Sequence, residues 1–191
     1  MGAQSKLPMS TPQMAAAQCL PLKFRFHLLA TDMSLKLAKS QHGCAIVLGS
    51  TGLIILGPSG SGKSRLSHQL IEQWRKRNNY ARWVADDRVI VEQFGNSYLV
   101  KSPTSLQGLA EHRFQGIESV DWQPKAVADL VVQLSPGKEL ERLPKSAHHR
   151  LVPNGPTIPK MMVPQDHISQ AIELIQARLA QESTILPSES N

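Results

Sequence analysis

The chain has 191 residues, 41% of them hydrophobic, enough for one domain with a core of its own. No apolar run approaches the roughly 20 residues of a membrane span, so no membrane helix is expected. The formal net charge of +6 suits an anionic substrate or an acidic partner, while 5% aromatic residues and the lack of a basic run interleaved with aromatics set nucleic acid aside.

Residues 1–34 begin with a stretch rich in Ser, Pro, Gln and Ala, and are expected to be a disordered or poorly ordered tail. Met14-Ala15-Ala16-Ala17 is broken by Gln18 and Pro21, which is not the pattern of a signal peptide. A cytoplasmic location is therefore expected. Cys19 and Cys44 belong to no C-x-x-C pair and no Cys/His cluster, so each is expected to be a buried or idle thiol in a reducing compartment. Phe24, Phe26 and Leu28 alternate with Lys23, Arg25 and His27, a short strand-like stretch.

The firm domain is expected over residues 35–181. Cys44 to Leu48 and Leu53 to Leu56 are apolar runs around the turn Gly49-Ser50-Thr51-Gly52, the signature of a hairpin. The second run leads into Gly57-Pro58-Ser59-Gly60-Ser61-Gly62-Lys63-Ser64, the pattern G-x-x-x-x-G-K-[ST] between a strand and a helix. Glycines at these places let successive N–H groups converge on phosphate oxygens. The following helix presents its N-terminus to the same anion. Lys63 is expected to reach the terminal phosphates, and the Ser64 hydroxyl to bind Mg²⁺.

Lys63 to about Arg77 reads as that helix, with Leu66, Leu70, Ile71 and Trp74 on one face. Arg82 to Ala85 is a strand that runs into Asp86-Asp87. Val89 to Phe94 and Tyr98 to Val100 flank Gly95-Asn96 as a second hairpin. Residues 101–124 show no clean period. Ala126 to Leu134 is expected to be one apolar strand. Pro136 to Pro164 contains six prolines and is expected to be mostly loop, with an edge strand over 157–163. Asp166 is expected to cap a last helix with the apolar stripe Ile168, Ala171, Ile172, Ile175 and Leu179. Residues 182–191 are expected to be a frayed tail.

A strand-end acidic pair after the P-loop helix places carboxylates beside the phosphates. One can support Mg²⁺ while the other accepts a proton from an attacking hydroxyl. The plainer alternative is a solvated turn in which one Asp serves the metal and the other is a bystander.

His42-Gly43, the hairpin, the P-loop and Val84-Ala85-Asp86-Asp87-Arg88, in that order, resemble the catalytic domain of the HPr kinase/phosphorylase family, from about Leu35 to about Leu151. The chain looks like the short form of that family, without its separate N-terminal domain. The resemblance implies an α/β P-loop kinase domain of the HPr kinase and phosphoenolpyruvate carboxykinase-like type, a mixed sheet with flanking helices. It also implies an ATP- and Mg²⁺-dependent kinase acting on a serine of the phosphocarrier HPr, in many members with phosphorolytic removal as well, assembled as a homo-oligomer, a hexamer. By match to the motif, Asp87 is the proton acceptor, His42 and Lys63 line the active site, and Ser64 binds Mg²⁺; the strand-end position of the pair then leaves Asp86 to support the metal site.

Glu111-His112-Arg113-Phe114-Gln115-Gly116-Ile117 stands where the family has a segment like E-I-R-G-L-G-I, which makes Glu111 a candidate second metal ligand. Without the family, Glu111 is a surface Glu, and His42 beside a Gly at a strand start is a structural histidine. Arg65 replaces the acid that usually follows the P-loop Ser. Arg142 and Arg150 occupy the region of the family's downstream arginines in unlike surroundings. Two other readings compete: a P-loop small-molecule kinase, whose Arg-rich lid the Pro136 to Pro164 segment does not resemble, and a nucleotide-binding regulatory module without phosphotransfer.

Overall fold

The computed structural model describes residues 36–112, 115–141 and 147–184. The expected N-terminal tail, the alternation at 24–28, Cys19, Arg113, Phe114 and Arg142 lie outside them. The described chain opens with Lys36–His42 (β1), the hairpin Cys44–Leu48 (β2) and Thr51–Leu56 (β3), the helix Lys63–Lys76 (α1) and Ala81–Ala85 (β4). Arg88–Phe94 (β5) and Ser97–Lys101 (β6) form the second expected hairpin.

Downstream, several expectations are corrected. The aperiodic 101–124 region contains a small antiparallel pair, Leu109–His112 (β7) and Gly116–Ser119 (β8). All four residues of β8 are exposed, so no apolar alternation marks it. The single strand expected over 126–134 is two, Lys125–Val127 (β9) and Leu130–Ser135 (β10), which join different sheets. The proline-rich segment holds Ala147–His149 (β11) and Ile158–Pro164 (β12). β12 is not an edge: it pairs parallel with β10 and antiparallel with β11. Its Pro159 is tolerated because the β10 register begins only at Lys160, leaving Pro159 opposite the short β11. The last helix is Ile168–Thr184 (α2), three residues longer than expected. Ala171 N–H donates to His167 O, so His167 takes the cap position and Asp166 precedes it. Ala171, Ile172, Ile175 and Leu179 are buried as expected.

The larger sheet has the order β11-β12-β10-β3-β2-β4, with β3, β10 and β12 parallel and the remaining pairs antiparallel. The order of the second sheet is β1-β5-β6-β9. Alternate residues of the leading hairpin face opposite layers. Cys44, Ile46, Leu48, Leu53 and Ile55 share a core with Leu66, Leu70 and Ile71 of α1 and Ile172 and Ile175 of α2. Ala45, Val47, Ile54 and Leu56 share the other with Val89 and Val91 of β5 and Tyr98 and Val100 of β6. Burial on both faces is why these strands read as continuous apolar runs. The result is an α/β fold: helices, a mixed sheet, and a second sheet beneath it.

The two sheets meet at Gly52. Ala128 N–H donates to Tyr98 O of the smaller sheet, and Asp129 N–H donates to Gly52 O of the larger one. The Asp129 carboxylate in turn accepts Gly52 N–H at 2.8 Å. The chain changes sheets between two consecutive amides, and this splits the expected strand. A Cβ on Gly52 would stand 1.8 Å from Val127 O. Gly52→Ala is expected to destabilise the fold by at least the ~1–3 kcal/mol typical of overpacking, since main chain must move. Chemical denaturation should show a lower midpoint at unchanged slope; a wild-type midpoint would disprove this crossing.

Candidate active site

Local sequence aims α1 at the site. Its N-terminal cap is Gly62, at φ 90, a left-handed conformation that favours glycine. No side-chain oxygen caps the helix and its first turn carries no acid, while Arg75 and Lys76 complement its C-terminus. The positive end of the helix dipole is therefore uncompensated within the loop and favours an anion. Ser61 Oγ is buried there without a hydrogen-bond partner. Lys63 is buried and folds back over the loop, its Nζ donating to Pro58 O at 2.8 Å and Gly57 O at 3.1 Å. Burial draws its pKa down, against the Asp87 and Asp86 charges, which draw it up. The arrangement can receive a polyanion through free amides, an orphaned hydroxyl and an ammonium group.

The acidic pair divides at the end of β4. Asp86 is buried, and Ser64 Oγ donates to its Oδ1 at 2.8 Å. Cys44 Sγ donates to the same oxygen at 2.9 Å, and Glu111 N–H donates to Oδ2 at 2.9 Å. Asp87 has φ 62, a left-handed conformation that Asp tolerates better than most residues. Its carbonyl accepts Gly43 N–H at 3.0 Å. Its carboxylate is exposed and lies 3.1 Å from His42 Nδ1. Two adjacent carboxylates thus have different environments: one buried among donors beside the loop serine, the other open to an incoming group and backed by an imidazole.

The expected site residues are therefore brought together with one qualification. Glu111 reaches Asp86 through its main-chain amide. Among the described residues no group of three His, Cys, Asp or Glu side chains is arranged to hold a metal ion by itself.

Sequence reasoning placed Ser61 in the phosphate loop but missed Cys44 as part of the site. Cys44 was expected to be a buried or idle thiol and is buried, but its contact with Asp86 joins residues 42 apart and has no local signal. Burial, then the Asp86 charge, push the thiol pKa far up, so it remains a protonated donor. α2 was missed as a wall of the site: a Cβ on Gly62 would come within 3.3 Å of Ile168 Cδ1.

Residues 33–185 match the family model described as the HPr Serine kinase C-terminal domain. The chain belongs to that family. The match extends past Leu151, where the motif resemblance weakens, and takes in β12 and α2. The HPr kinase/phosphorylase of Lacticaseibacillus casei (strain BL23) is 31% identical over 144 residues, covering 70% of this chain and 43% of that protein. That of Malacoplasma penetrans (strain HF-2) is 27% identical over 169 residues, covering 82% of this chain and 54% of the relative. The chain thus spans about half the length of these two relatives. The Hpr(Ser) kinase/phosphatase structure from Coxiella burnetii matches with a TM-score of 0.61 at 22% identity, over 75% of this chain and 99% of that one. At that identity the likeness shows the fold, and it agrees with the HPr kinase-type α/β domain. No described helix is long and apolar enough to cross a membrane, a statement about helices alone.

Proposed function

We propose that this HPr kinase family member is an ATP-dependent serine kinase whose acceptor is an HPr-like phosphocarrier protein. The observation that carries the proposal is the division of the acidic pair: Asp86 turned into the loop against Ser64, Asp87 turned out against His42. The names of the relatives supply the acceptor.

ATP is placed by the loop amides at the α1 N-terminus and by Lys63, which leaves the Gly57 and Pro58 carbonyls for the phosphates. Ser64 and Asp86 would hold Mg²⁺, with the Glu111 carboxylate as the further candidate. The ion, when bound, supplies charge neutralisation on the phosphates. The acceptor serine oxygen attacks the γ-phosphorus, the bond to the leaving β-phosphate oxygen breaks, and Asp87 takes the hydroxyl proton. His42, with its Nδ1 3.1 Å from the Asp87 carboxylate, holds Asp87 in place.

The reading includes a cytoplasmic homo-oligomer, a hexamer by resemblance. Ile117, at 72% exposure, and Leu109 leave apolar surface on the β7–β8 pair for a neighbouring subunit.

The test is transfer of radiolabelled γ-phosphate from ATP to purified HPr, with and without Mg²⁺, with light scattering on the same sample. Mg²⁺-dependent label on an HPr serine and a particle larger than a monomer are expected. ATP binding without transfer to HPr would sink the kinase reading, and a monomer at micromolar concentration would remove the oligomer.

A further inference from the structure

Cys44 has no part in the chemistry above, yet it touches the most enclosed group of the site. It is 0% exposed, on the helix-facing side of β2, and Asp86 is 5% exposed. A carboxylate so buried needs hydrogen-bond donors in place of water. Asp86 has three, from three elements: the Cys44 thiol of β2 and the Ser64 hydroxyl of α1 on Oδ1, and the Glu111 amide of β7 on Oδ2.

The three are not equivalent. The Ser64 hydroxyl oxygen is the expected metal ligand, so its orientation changes with what is bound. Glu111 belongs to a peripheral pair whose other strand is fully exposed. Cys44 sits on an interior strand bonded on both sides, to β3 and β4. Its Sγ is also 3.7 Å from Ser64 Oγ, so the thiol contacts both groups that are to hold the ion. A cysteine meets two demands at this place: apolar bulk toward the helix-side core and one polar hydrogen at the rim.

We propose that Cys44 is a positioning residue, its thiol holding Asp86 in the one orientation in which the carboxylate and Ser64 can share a metal ion. The metal part rests on the Mg²⁺–ATP reading above; the hydrogen bond itself does not.

A positioning thiol and a packing thiol predict opposite substitution patterns. Cys44→Ser keeps a donor and gives up apolar bulk. Cys44→Val keeps the bulk and gives up the donor, and Cys44→Ala gives up both with little steric demand. ATP binding to the full-length variants is measured by calorimetry over a Mg²⁺ series and again in chelator. Cys44→Val and Cys44→Ala are expected to need about tenfold more Mg²⁺ for half-maximal tightening of ATP binding, the low end for a lost metal-site supporting contact. Their affinity for metal-free ATP should be unchanged, and Cys44→Ser should stay close to wild type. A wild-type Mg²⁺ response in Cys44→Val with a loss in Cys44→Ser would show a packing role alone and overturn the proposal. Equal losses with and without Mg²⁺ would overturn it as well.

The second readout needs neither nucleotide nor metal. The infrared S–H stretch of the wild-type protein, isolated from Cys19 by its difference spectrum against Cys44→Ser, should lie at the lowered frequency of a donating thiol and relax upward in Asp86→Ala. A free-thiol frequency in the wild type would overturn the hydrogen bond. The readouts are binding and spectroscopy, so absent transfer to HPr would remove the kinase reading while the Cys44 comparison still gave its own answer. If the wild type bound no ATP, the infrared comparison would still decide the contact.

Discussion

Asp87→Asn is expected to slow phosphotransfer to HPr by about 10²–10⁴-fold, the usual contribution of a positioned base, while leaving Mg²⁺–ATP affinity near wild type. The substitution suits its place. Asp87 sits at φ 62, and Asn tolerates that left-handed backbone as Asp does, so the turn between β4 and β5 should persist. The amide oxygen can still face His42 Nδ1, which lies 3.1 Å from the carboxylate in the wild type. The negative charge beside Lys63 and the ability to accept a proton at neutral pH are lost. Asp86→Asn should behave differently. Cys44 and Ser64 donate to one carboxylate oxygen and the Glu111 amide donates to the other. An amide group there turns an NH₂ toward at least one donor, so the Mg²⁺ requirement should rise. Turnover at the wild-type rate in Asp87→Asn would remove its role as base. If both variants lost only nucleotide affinity, the protein would be better described as a nucleotide-binding regulator.

Lys63→Ala is expected to weaken ATP binding by roughly ten- to a hundredfold, because a hydrogen bond to a charged group contributes about 1.5–3 kcal/mol. Lys63 is buried, and its ammonium is held by the carbonyls of Gly57 and Pro58. It therefore lies over the loop before any ligand arrives, and ordering it for the phosphates requires little further entropy. Alanine is a better helix former than lysine, so loss of α1 would not be the cause of the weaker binding. Calorimetric titration with ATP and Mg²⁺, beside a thermal melt of the free protein, separates the two. Unchanged affinity in a folded Lys63→Ala protein would refute the assignment of the loop as the phosphate site.

The features legible in the sequence are those whose cause is local. The strand, glycine loop and helix of residues 53–76 are written in consecutive residues, because the loop works through its own backbone and the helix through its own first turn. The leading hairpin and the α2 stripe show themselves by run length and by spacing. Asp86 and Asp87 could be placed at a strand end because Val84 and Ala85 precede them.

What the sequence could not supply depends on partners far along the chain. Residues 126–134 read as one strand because their apolar pattern is continuous. They are two because Ala128 finds Tyr98 and Asp129 finds Gly52, in different sheets. β12 looked like an edge from its prolines, and became interior because β10 and β11 bracket it. The pairing of His42 with Asp87 and the thiol contact on Asp86 arise where β1 and β2 pass the end of β4. The chain by itself thus determined the strand, glycine loop and helix of residues 53–76, since their cause lies in consecutive residues. Only the tertiary structure decided which carboxylate is enclosed and which is open, because burial and hydrogen-bond partners come from remote strands that no local spacing records.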